Sequence, residues 1–364
     1  RPVLYVGGGT LKSHAEKELA AFAERTGMPV VTTLMARGAF PDSHDQHLGM
    51  PGMHGMYPAV TAIQRCDLLI SLGARFDDRV TGRVSAFAPL AKVIHVDVDR
   101  AEFNKVRRAD VAIQSDVASA LRALDAVGAT PRPLDAWWAQ LREWAERYPL
   151  AYDPAPAEGP LRPQHVIEAI ARRAPAGTIV TAGVGQHQMW AAQYWPFEEP
   201  GTWVNSGGAG TMGFGVPAAI GAKAGRPERT VWCIDGDGCF QMTAQELVTA
   251  RSEGLPIKVA ILNNAYLGMV RQWQEMFYEE RYSEVYLSHD LPDYVKWAEA
   301  MGCVGLRAST PAELESVVEE AHSINDVPVV VDFRTDSTEK VFPMVAAGAS
   351  NDDIIVHPSL RSRS

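Results

Sequence analysis

The stretch that decides the fold begins with Thr230-Val231-Trp232-Cys233-Ile234 and Asp235-Gly236-Asp237-Gly238, continues through a helical pattern at 243–253 and an apolar run at 257–262, and ends with Asn263-Asn264. Two apolar strands joined by a helix are typical of a parallel sheet, in which crossover connections bring successive strand ends to the same edge. We therefore expect Asp237 and Asn264, although 27 positions apart, to lie together at that edge.

The residue types at these strand ends favour a magnesium site. Asp237 offers a carboxylate and Asn264 an amide carbonyl oxygen, which Mg²⁺ takes when phosphates fill the rest of its octahedral shell. Gly236 and Gly238 allow the backbone to approach those phosphates closely. Either motif alone is more often a simple turn or loop, but their joint position at two strand ends favours the metal site.

The rest of the chain has the same alternation of strands and helices. Outside the quoted stretch, strands are predicted at 3–6, 29–33, 67–72, 93–96, 111–114, 178–181 and 328–333, and a capping box at Ser13 and Glu16 predicts a helix that ends at Gly27. This pattern predicts an α/β protein with two doubly wound parallel sheets. We expect domains at 1–128 and 164–340, a linker at 129–163 that carries one helix, and a C-terminal arm at 341–364.

Composition excludes several classes of protein. The 364 residues are 46% hydrophobic and 21% charged, as in ordinary globular proteins. A net charge of −10 without any Lys/Arg run argues against nucleic acid, and no apolar run approaches the roughly 18 residues of a membrane span. Because four cysteines lack zinc-ligand spacing, we expect reduced thiols. Without a membrane span or a basic-then-apolar secretory signal at the N-terminus, we expect a cytoplasmic protein, or an organellar one in a eukaryote.

Several motifs resemble the large catalytic subunit of acetohydroxyacid synthase (acetolactate synthase), a family of thiamine-diphosphate-dependent enzymes. Gly236-Asp237-Gly238 followed by Asn263-Asn264 resembles the cofactor motif of those enzymes. The other matching segments are Gly73-Ala74-Arg75-Phe76-Asp77-Asp78-Arg79-Val80-Thr81-Gly82, Val184-Gly185-Gln186-His187-Gln188-Met189-Trp190, Ser206-Gly207-Gly208-Ala209-Gly210-Thr211-Met212-Gly213 and Gly268-Met269-Val270-Arg271-Gln272-Trp273-Gln274. The resemblance implies an FAD-binding middle domain followed by a domain for thiamine diphosphate and Mg²⁺.

The resemblance also assigns residues to the thiamine diphosphate site. It makes Asp237, Asn264 and the backbone carbonyl of Tyr266 the Mg²⁺ ligands. Met212 would lie beneath the cofactor, between its two rings, although a methionine among glycines is otherwise often only core. The remaining implied contacts to this cofactor are Gly185, Gln186, His187, Gly236, Gly238 and Met269. Of these, His187 has the alternative of a capping role at a helix start.

A second set of residues would bind the flavin. Gly7-Gly8-Gly9 lacks the third glycine of a dinucleotide fingerprint, because Lys12 occupies that place, which disfavours ordinary NAD binding. The implied FAD contacts are Gly8, Gly9, Thr33, Leu34, Gly52, Met53, His54, Gly73, Arg75, Asp77, Arg79, Asp97, Val98 and Asp116. Two alternatives stay open: the charged residues from Arg75 to Arg79 form a self-paired surface cluster, and Asp97 and Asp116 cap helices.

The activity implied is decarboxylation of pyruvate and ligation of the hydroxyethyl unit to pyruvate or 2-oxobutyrate, in branched-chain amino-acid biosynthesis. Trp273 would line the acceptor pocket and favour 2-oxobutyrate, with the usual alternative that its apolar helix face is core or interface. Arg79 would hold an acid substrate and share an access channel with Met53, Met242, Met269 and Val270.

The resemblance further implies parts that lie outside this sequence. Family members activate the cofactor with a glutamate from an N-terminal domain of a neighbouring subunit, so we expect a homodimer or higher oligomer, a small regulatory subunit, and no activity from this chain alone. A chain that starts at Arg1-Pro2 without Met is expected to be the later part of a longer polypeptide. The competing interpretations are a pyruvate-oxidase-like enzyme with the same cofactors and a non-catalytic nucleotide-binding scaffold.

Overall fold

The structure is a computed structural model that describes residues 1–128 and 133–363, with side chains given up to 361 at the C-terminal end. The chain divides into two compact units. The first consists of Arg1–Tyr152, Pro196–Gly201 and Phe342–Ser364, and the second of Asp153–Trp195 and Thr202–Val341. The start of the predicted linker, including Pro131, lies outside the described residues.

The first unit is built on a five-stranded parallel sheet. Its strands are β1 Pro2–Val6, β2 Val30–Thr32, β3 Leu68–Leu72, β4 Lys92–Asp97 and β5 Val111–Gln114, in the order β2-β1-β3-β4-β5. Its helices are α1 Gly8–Lys12, α2 Glu16–Thr26, α3 Tyr57–Arg65, α4 Asp78–Thr81, α5 Val117–Ala126 and α6 Asp135–Arg147, with 3₁₀ turns at Leu34–Ala36, Val84–Ala86, Arg100–Glu102, Asn351–Asp353 and Pro358–Arg363.

Apolar side chains on both faces of this sheet explain why it forms. All five residues of β1 are buried, and two core clusters contain alternate residues of that strand, Val3 and Tyr5 in one and Leu4 and Val6 in the other. A strand covered on both sides is what parallel sheets require. The strand order reverses between β1 and β3, so the ligand crevice of such a sheet is expected where these two strands end.

The second unit is built on a six-stranded parallel sheet. Its strands are β6 Ile179–Ala182, β7 Trp203–Asn205, β8 Val231–Gly236, β9 Lys258–Asn263, β10 Val304–Ala308 and β11 Val329–Arg334, in the order β10-β11-β9-β8-β6-β7. Its helices are α7 Pro163–Arg173, α8 Gln186–Tyr194, α9 Gly215–Gly225, α10 Asp237–Thr243, α11 Leu247–Ser252, α12 Gly268–Phe277, α13 Tyr294–Ala300 and α14 Pro311–Ser323, with a 3₁₀ turn at Ala244–Glu246. The prediction of two parallel-sheet α/β domains is confirmed.

The centre of the second sheet fixes the positions that matter for function. Strands β8 and β9 are adjacent, with Gly236 paired to Leu262, and both are buried throughout. The strand order of this sheet reverses between β6 and β8, and Ile179–Ala182 of β6 pairs with β8 along its whole length. The loops that follow β6, β8 and β9 therefore share the carboxyl edge of the sheet, where ligands bind in folds of this type.

Two local predictions are wrong. The Ser13–Glu16 capping box does not form: Ser13 ends α1, its hydroxyl donates to the carbonyl of Thr10, and Ala15 precedes α2 without a side-chain cap. The helix predicted at 243–253 begins instead at Asp237, directly after β8, and is interrupted at Thr243. Asp-Gly indicates a turn in isolation, but an acid in the first turn of a helix stabilises its N-terminus.

Two predicted domain boundaries also differ from the structure. The helix predicted in the linker, α6, belongs to the first unit, because Trp137 and Leu141 are part of its core. The predicted C-terminal arm from 341 is not a separate element, since residues from Phe342 onward pack within the first unit. There Met344 pairs with Ile355 in an antiparallel bridge.

The cysteines agree with the expectation of reduced thiols. Cys66, Cys233, Cys239 and Cys303 are all buried and unpaired within the described part of the chain. Among the helices of residues 1–128 and 133–363, none is long and apolar enough to cross a membrane.

Candidate functional site

Asp237 lies at the carboxyl end of β8 as an almost fully buried carboxylate, 2% exposed. Its Oδ1 accepts a hydrogen bond from the Gly238 N–H at 2.9 Å. Burial raises the pKa of Asp237 to about 7, although the N–H groups of Gly238 and Ala265 and the nearby His187 lower it. A buried carboxylate that is costly to ionise without a cation fits a metal ligand.

Asn264 follows the neighbouring strand, and its amide has a defined orientation. Its Nδ2 donates to Gln186 Oε1 at 3.3 Å, and its Oδ1 accepts from the Tyr266 N–H at 3.0 Å. The intervening Ala265 has a positive φ of 64°, and its N–H also stabilises the charged form of Asp237. The two loops that carry the predicted metal ligands therefore meet at one edge of the sheet.

Three buried side chains form a cluster beside Asp237. His187 Nε2 lies 3.3 Å from Asp235 Oδ1, and the potential ligand atoms of His187, Asp235 and Cys239 all lie within 4.8 Å of one another. Burial by itself lowers the pKa of His187, but contacts with Cys239 and Asp235 outweigh it and raise the pKa to about 10. An imidazolium at the start of α8 is suited to an anionic ligand.

Glycines at this edge let the loops pack closely against His187 and Gln186. A Cβ added at Gly236 would lie 2.8 Å from His187 Nδ1, and one at Gly268 would lie 2.1 Å from Gln186 Oε1. Gly185 has a φ of 148°, which side chains rarely adopt. Close backbone approach without side chains fits the phosphates of a cofactor.

Met212 lies next to this edge. A Cβ at Gly238 would meet Leu267 Cδ2 at 3.0 Å, Leu287 Cδ1 at 3.3 Å and Met212 Cε at 3.5 Å. Met212 itself is 38% exposed and is therefore not a core residue. Its side chain and those of Leu267 and Leu287 place apolar atoms around Gly238, next to the predicted metal ligand Asp237.

The other residues expected around the active site lie on or near α12. Trp273 lines an open groove with Val270, Gln274, Tyr278 and Arg281, and its ring centroid is 4.9 Å from that of Phe277. Met269 lies in the first turn of α12, and Met242, on α10, is 57% exposed. Trp273 thus lines a groove, and its role in an acceptor pocket stays a prediction.

In the first unit, the switch point between β1 and β3 contains the predicted flavin glycines. The Gly9 N–H donates to the Gly73 carbonyl at 3.1 Å, and a Cβ at Gly9 would lie 2.8 Å from Gly73 Cα. Thr33 Oγ1, at the end of β2, is buried without a hydrogen-bond partner within the part of the chain that the structure describes. Closely packed glycines and a buried hydroxyl without a partner, at the switch point of a parallel sheet, fit a dinucleotide site.

A second group of predicted flavin residues surrounds the loop after β2. Gly52 has a φ of 116°, the Met53 N–H donates to the Arg79 carbonyl at 2.6 Å, and the Val345 N–H donates to the Met53 carbonyl at 2.7 Å. His54 Nδ1 lies 3.3 Å from the Pro343 carbonyl oxygen, and burial lowers the pKa of this imidazole to about 4. The C-terminal segment thus supports the loop that holds these residues.

The charged residues of this unit have local partners. Arg75 pairs with Asp77 at 3.2 Å and Arg79 with Asp78 at 2.9 Å, as in the self-paired alternative, and both arginines are more than 60% exposed. Asp116 caps α5 by accepting from the Ser119 N–H, and that contact lowers the pKa of Asp116.

The last three predicted contacts of this unit differ in exposure. Asp97 is buried and accepts from the Asp99 N–H at 2.9 Å, Val98 is 66% exposed, and Leu34 begins a 3₁₀ turn after β2. Asp97 and Asp116 have local acceptor roles, whereas Val98 offers an open apolar surface.

Three residues near Asp237 and Asn264 were not predicted from the sequence to have a role. Asp235 and Cys239 complete the cluster around His187, and the buried Gln272 contacts Gln186. One signal was available, because a carboxylate inside a strand that is buried at every position needs a partner. Cys239 and Gln272 have no comparable local signal.

Comparison with known proteins identifies the class. The thiamine pyrophosphate enzyme central domain matches residues 1–124, and the C-terminal TPP binding domain of the same enzymes matches residues 183–333. Together these two domains account for most of the chain, which belongs to the thiamine pyrophosphate enzymes.

Among these enzymes, the chain is similar over nearly its whole length to acetolactate synthase large subunits, which confirms the resemblance inferred from the motifs. It is 58% identical over 362 residues to an acetolactate synthase of Mycobacterium avium, covering 97% of this chain and 58% of the relative. It is 54% identical to the acetolactate synthase large subunit of Corynebacterium glutamicum, with coverage of 97% and 58%, and 44% identical to the isozyme 3 large subunit of Escherichia coli, with coverage of 97% and 62%. The chain therefore spans about three fifths of the length of these relatives.

Proposed function

We propose that the chain forms the flavin- and thiamine-diphosphate-binding part of an acetolactate synthase large subunit. The reaction would decarboxylate pyruvate and ligate the two-carbon unit to a second pyruvate or to 2-oxobutyrate, in branched-chain amino-acid biosynthesis. The observation that carries this proposal is the buried Asp237 carboxylate, which meets the Asn264 loop at a glycine-lined sheet edge.

Each site residue has a role in this proposal. Asp237, Asn264 and the Tyr266 carbonyl would hold Mg²⁺, while Gly185, Gln186 and His187 would bind the diphosphate. When bound, thiamine diphosphate supplies the decarboxylation and the transfer of the two-carbon unit. The protein's own part is to orient the reactants and exclude water, since a low-polarity pocket favours loss of a carboxylate.

His187 has the charge that this binding role needs. His187 Nε2 lies 3.3 Å from Asp235 Oδ1, and the electrostatic contacts with Cys239 and Asp235 raise the pKa of His187 to about 10. The imidazole would therefore carry a positive charge at neutral pH and would pair with the diphosphate. Asp235 would keep the ring in place and stabilise that charge.

The flavin site belongs to the same proposal. Gly8, Gly9 and Gly73 would admit the dinucleotide to the switch point of the first sheet, and Thr33 Oγ1 would gain a partner there. Arg75 and Arg79 are exposed enough to exchange their carboxylate partners for phosphates or for an acid substrate.

The proposal extends to partners and location. Relatives carry the name large subunit, from which we infer a small regulatory subunit as partner and an oligomer of the chain itself. Location in the cytoplasm stays a prediction.

The decisive experiment uses the intact protein loaded with FAD, Mg²⁺ and thiamine diphosphate. We expect pyruvate to be converted to 2-acetolactate while the flavin stays oxidised, and Asp237→Ala to lower this activity by roughly 100-fold or more. The matched control is Asp326→Ala, an exposed acid just before β11 at the opposite edge of the sheet, which should retain activity. Stoichiometric reduction of FAD by pyruvate, with acetate or acetyl phosphate as product, would identify an oxidase instead.

Acceptor selection is tested separately at Trp273. Replacing Trp273 with Leu removes the aromatic wall of the groove, so we expect the preference for 2-oxobutyrate over pyruvate to fall by about tenfold while acetolactate is still formed. Trp273→Phe keeps an aromatic ring and should retain part of the preference. Competition assays with both acceptors measure the product ratio, and an unchanged ratio in Trp273→Leu would show that another residue selects the acceptor.

A further inference from the structure

A chain of buried amides connects α12 to the predicted metal ligand. Gln272 is 1% exposed, and its Oε1 accepts from the Val341 N–H at 2.8 Å and from Gln186 Nε2 at 2.9 Å. Its Nε2 donates to the Val341 carbonyl at 3.3 Å. Gln186 then accepts from Asn264 Nδ2 through its own Oε1 at 3.3 Å. The connection runs from the backbone of Val341 through two glutamines to Asn264.

The backbone of Val341 determines which way each side-chain amide in this series of hydrogen bonds is oriented. Val341 offers one donor and one acceptor, and only one orientation of the Gln272 amide satisfies both. The oxygen of Gln272 therefore faces Gln186 and can only accept from it. Gln186 accordingly donates through its Nε2 to this oxygen and to the carbonyl of Glu339, at 2.9 Å in each case. The oxygen of Gln186 is left for Asn264 and requires the amide nitrogen of that residue.

We propose that Gln272 is a positioning residue that, through Gln186, fixes which atom Asn264 presents to a divalent cation. An asparagine amide has an oxygen and a nitrogen of nearly equal size, and a rotation of 180° would replace a metal ligand by a donor that repels the cation. Gln186 accepts from the amide nitrogen of Asn264, so the oxygen of Asn264 faces away from Gln186. This oxygen accepts from the Tyr266 N–H and keeps a second lone pair for the ion. The inference rests on the proposed Mg²⁺ site at Asp237 and Asn264.

The same arrangement couples two parts of the proposed enzyme. Gln272 stands beside Trp273 on α12, whose groove would take the acceptor, and Val341 ends the segment that follows β11. Displacement of α12 would therefore disturb the amide chain and, with it, the metal ligand. In this respect Gln272 differs from Gln188, a buried amide on α8 whose Nε2 donates to Asn205 Oδ1 at 3.0 Å. Gln188 does not take part in the hydrogen bonds that link Val341 to Asn264.

The test measures metal binding rather than turnover. Mn²⁺ is titrated into the intact protein with FAD and saturating thiamine diphosphate, and the free ion is followed by electron paramagnetic resonance. Gln272→Met keeps the side-chain length but removes the amide, and it should weaken Mn²⁺ binding about tenfold, the effect of one buried hydrogen bond. Gln188→Met is the matched control: it should lower the melting temperature comparably and leave the Mn²⁺ affinity within about twofold of the wild-type value.

A double variant separates orientation from general loss of structure. In Asn264→Asp both terminal atoms are oxygens, so the direction of the amide chain no longer matters and Gln272→Met should cause no further loss of Mn²⁺ affinity. The proposal is overturned if Gln272→Met weakens Mn²⁺ binding no more than Gln188→Met does, or weakens it equally in the Asn264→Asp background. Wild-type Mn²⁺ affinity in Asp237→Ala would instead overturn the metal site itself.

Discussion

Replacing Asp237 with Asn is expected to stabilise the cofactor-free protein at pH 8 and to abolish the stabilisation that Mg²⁺ and thiamine diphosphate give. Burial raises the pKa of Asp237 from 3.8 to about 7. Between these two values the folded state holds a proton that the unfolded state has lost, so stability falls as pH rises through this window and stays low above it. Asparagine carries no charge, and the free energy of unfolding at pH 8 should rise by roughly 4 kcal/mol.

Urea unfolding of the cofactor-free protein at pH 5 and pH 8 measures this effect. The wild type should lose stability between the two pH values, whereas Asp237→Asn should lose much less, and Asp326→Asn, an exposed control, should follow the wild type. Addition of Mg²⁺ and thiamine diphosphate should raise the unfolding midpoint of the wild type but not of Asp237→Asn. Equal midpoints for the wild type and Asp237→Asn at pH 8 would show that burial of this carboxylate costs nothing.

Such a residue is recognisable in the sequence because its surroundings are local. An apolar strand ends at a fixed place, the chain must turn there, and the next strand of the crossover ends beside it, so Asp237 and Asn264 follow from pattern and spacing. The same reasoning predicts most strands to within about two residues. The short strand Trp203–Asn205 and the strand Val304–Ala308 are missing from the prediction, because three residues, or a run containing Gly305, have too little apolar periodicity.

Contacts between distant segments are the part that sequence patterns do not contain. His187, Asp235 and Cys239 meet because β6 and β8 are neighbours, and strand order is a property of the whole sheet. Packing of the C-terminal segment beside Met53 likewise depends on surfaces that exist only after folding. A local motif can also be misread: the Ser13 hydroxyl donates to the carbonyl of Thr10 instead of capping α2, so the predicted capping box is wrong.

Gly7→Ala is expected to destabilise the first unit more than an alanine at any other glycine of its switch point. A Cβ at Gly7 would lie 2.2 Å from the Gly73 carbonyl oxygen and 2.6 Å from Ala74 Cα. Both are backbone atoms at the end of β3, which is paired to β1 along its whole length and cannot move aside. The backbone of Gly7, with φ of −104° and ψ of 175°, suits any residue, so the contact alone is responsible for the cost.

Overpacking against backbone should cost about 3 kcal/mol or more, which lowers the melting temperature of a unit of this size by roughly 10 °C. Gly8→Ala is the matched control, because a Cβ there would lie 3.3 Å from Met35 Cβ, a contact that a shift of a few tenths of an ångström relieves. Thermal unfolding without FAD should place Gly8→Ala within about 2 °C of the wild type. If Gly7→Ala melts at the same temperature as Gly8→Ala, the backbone that follows β1 and β3 moves apart more easily than the strand pairing indicates.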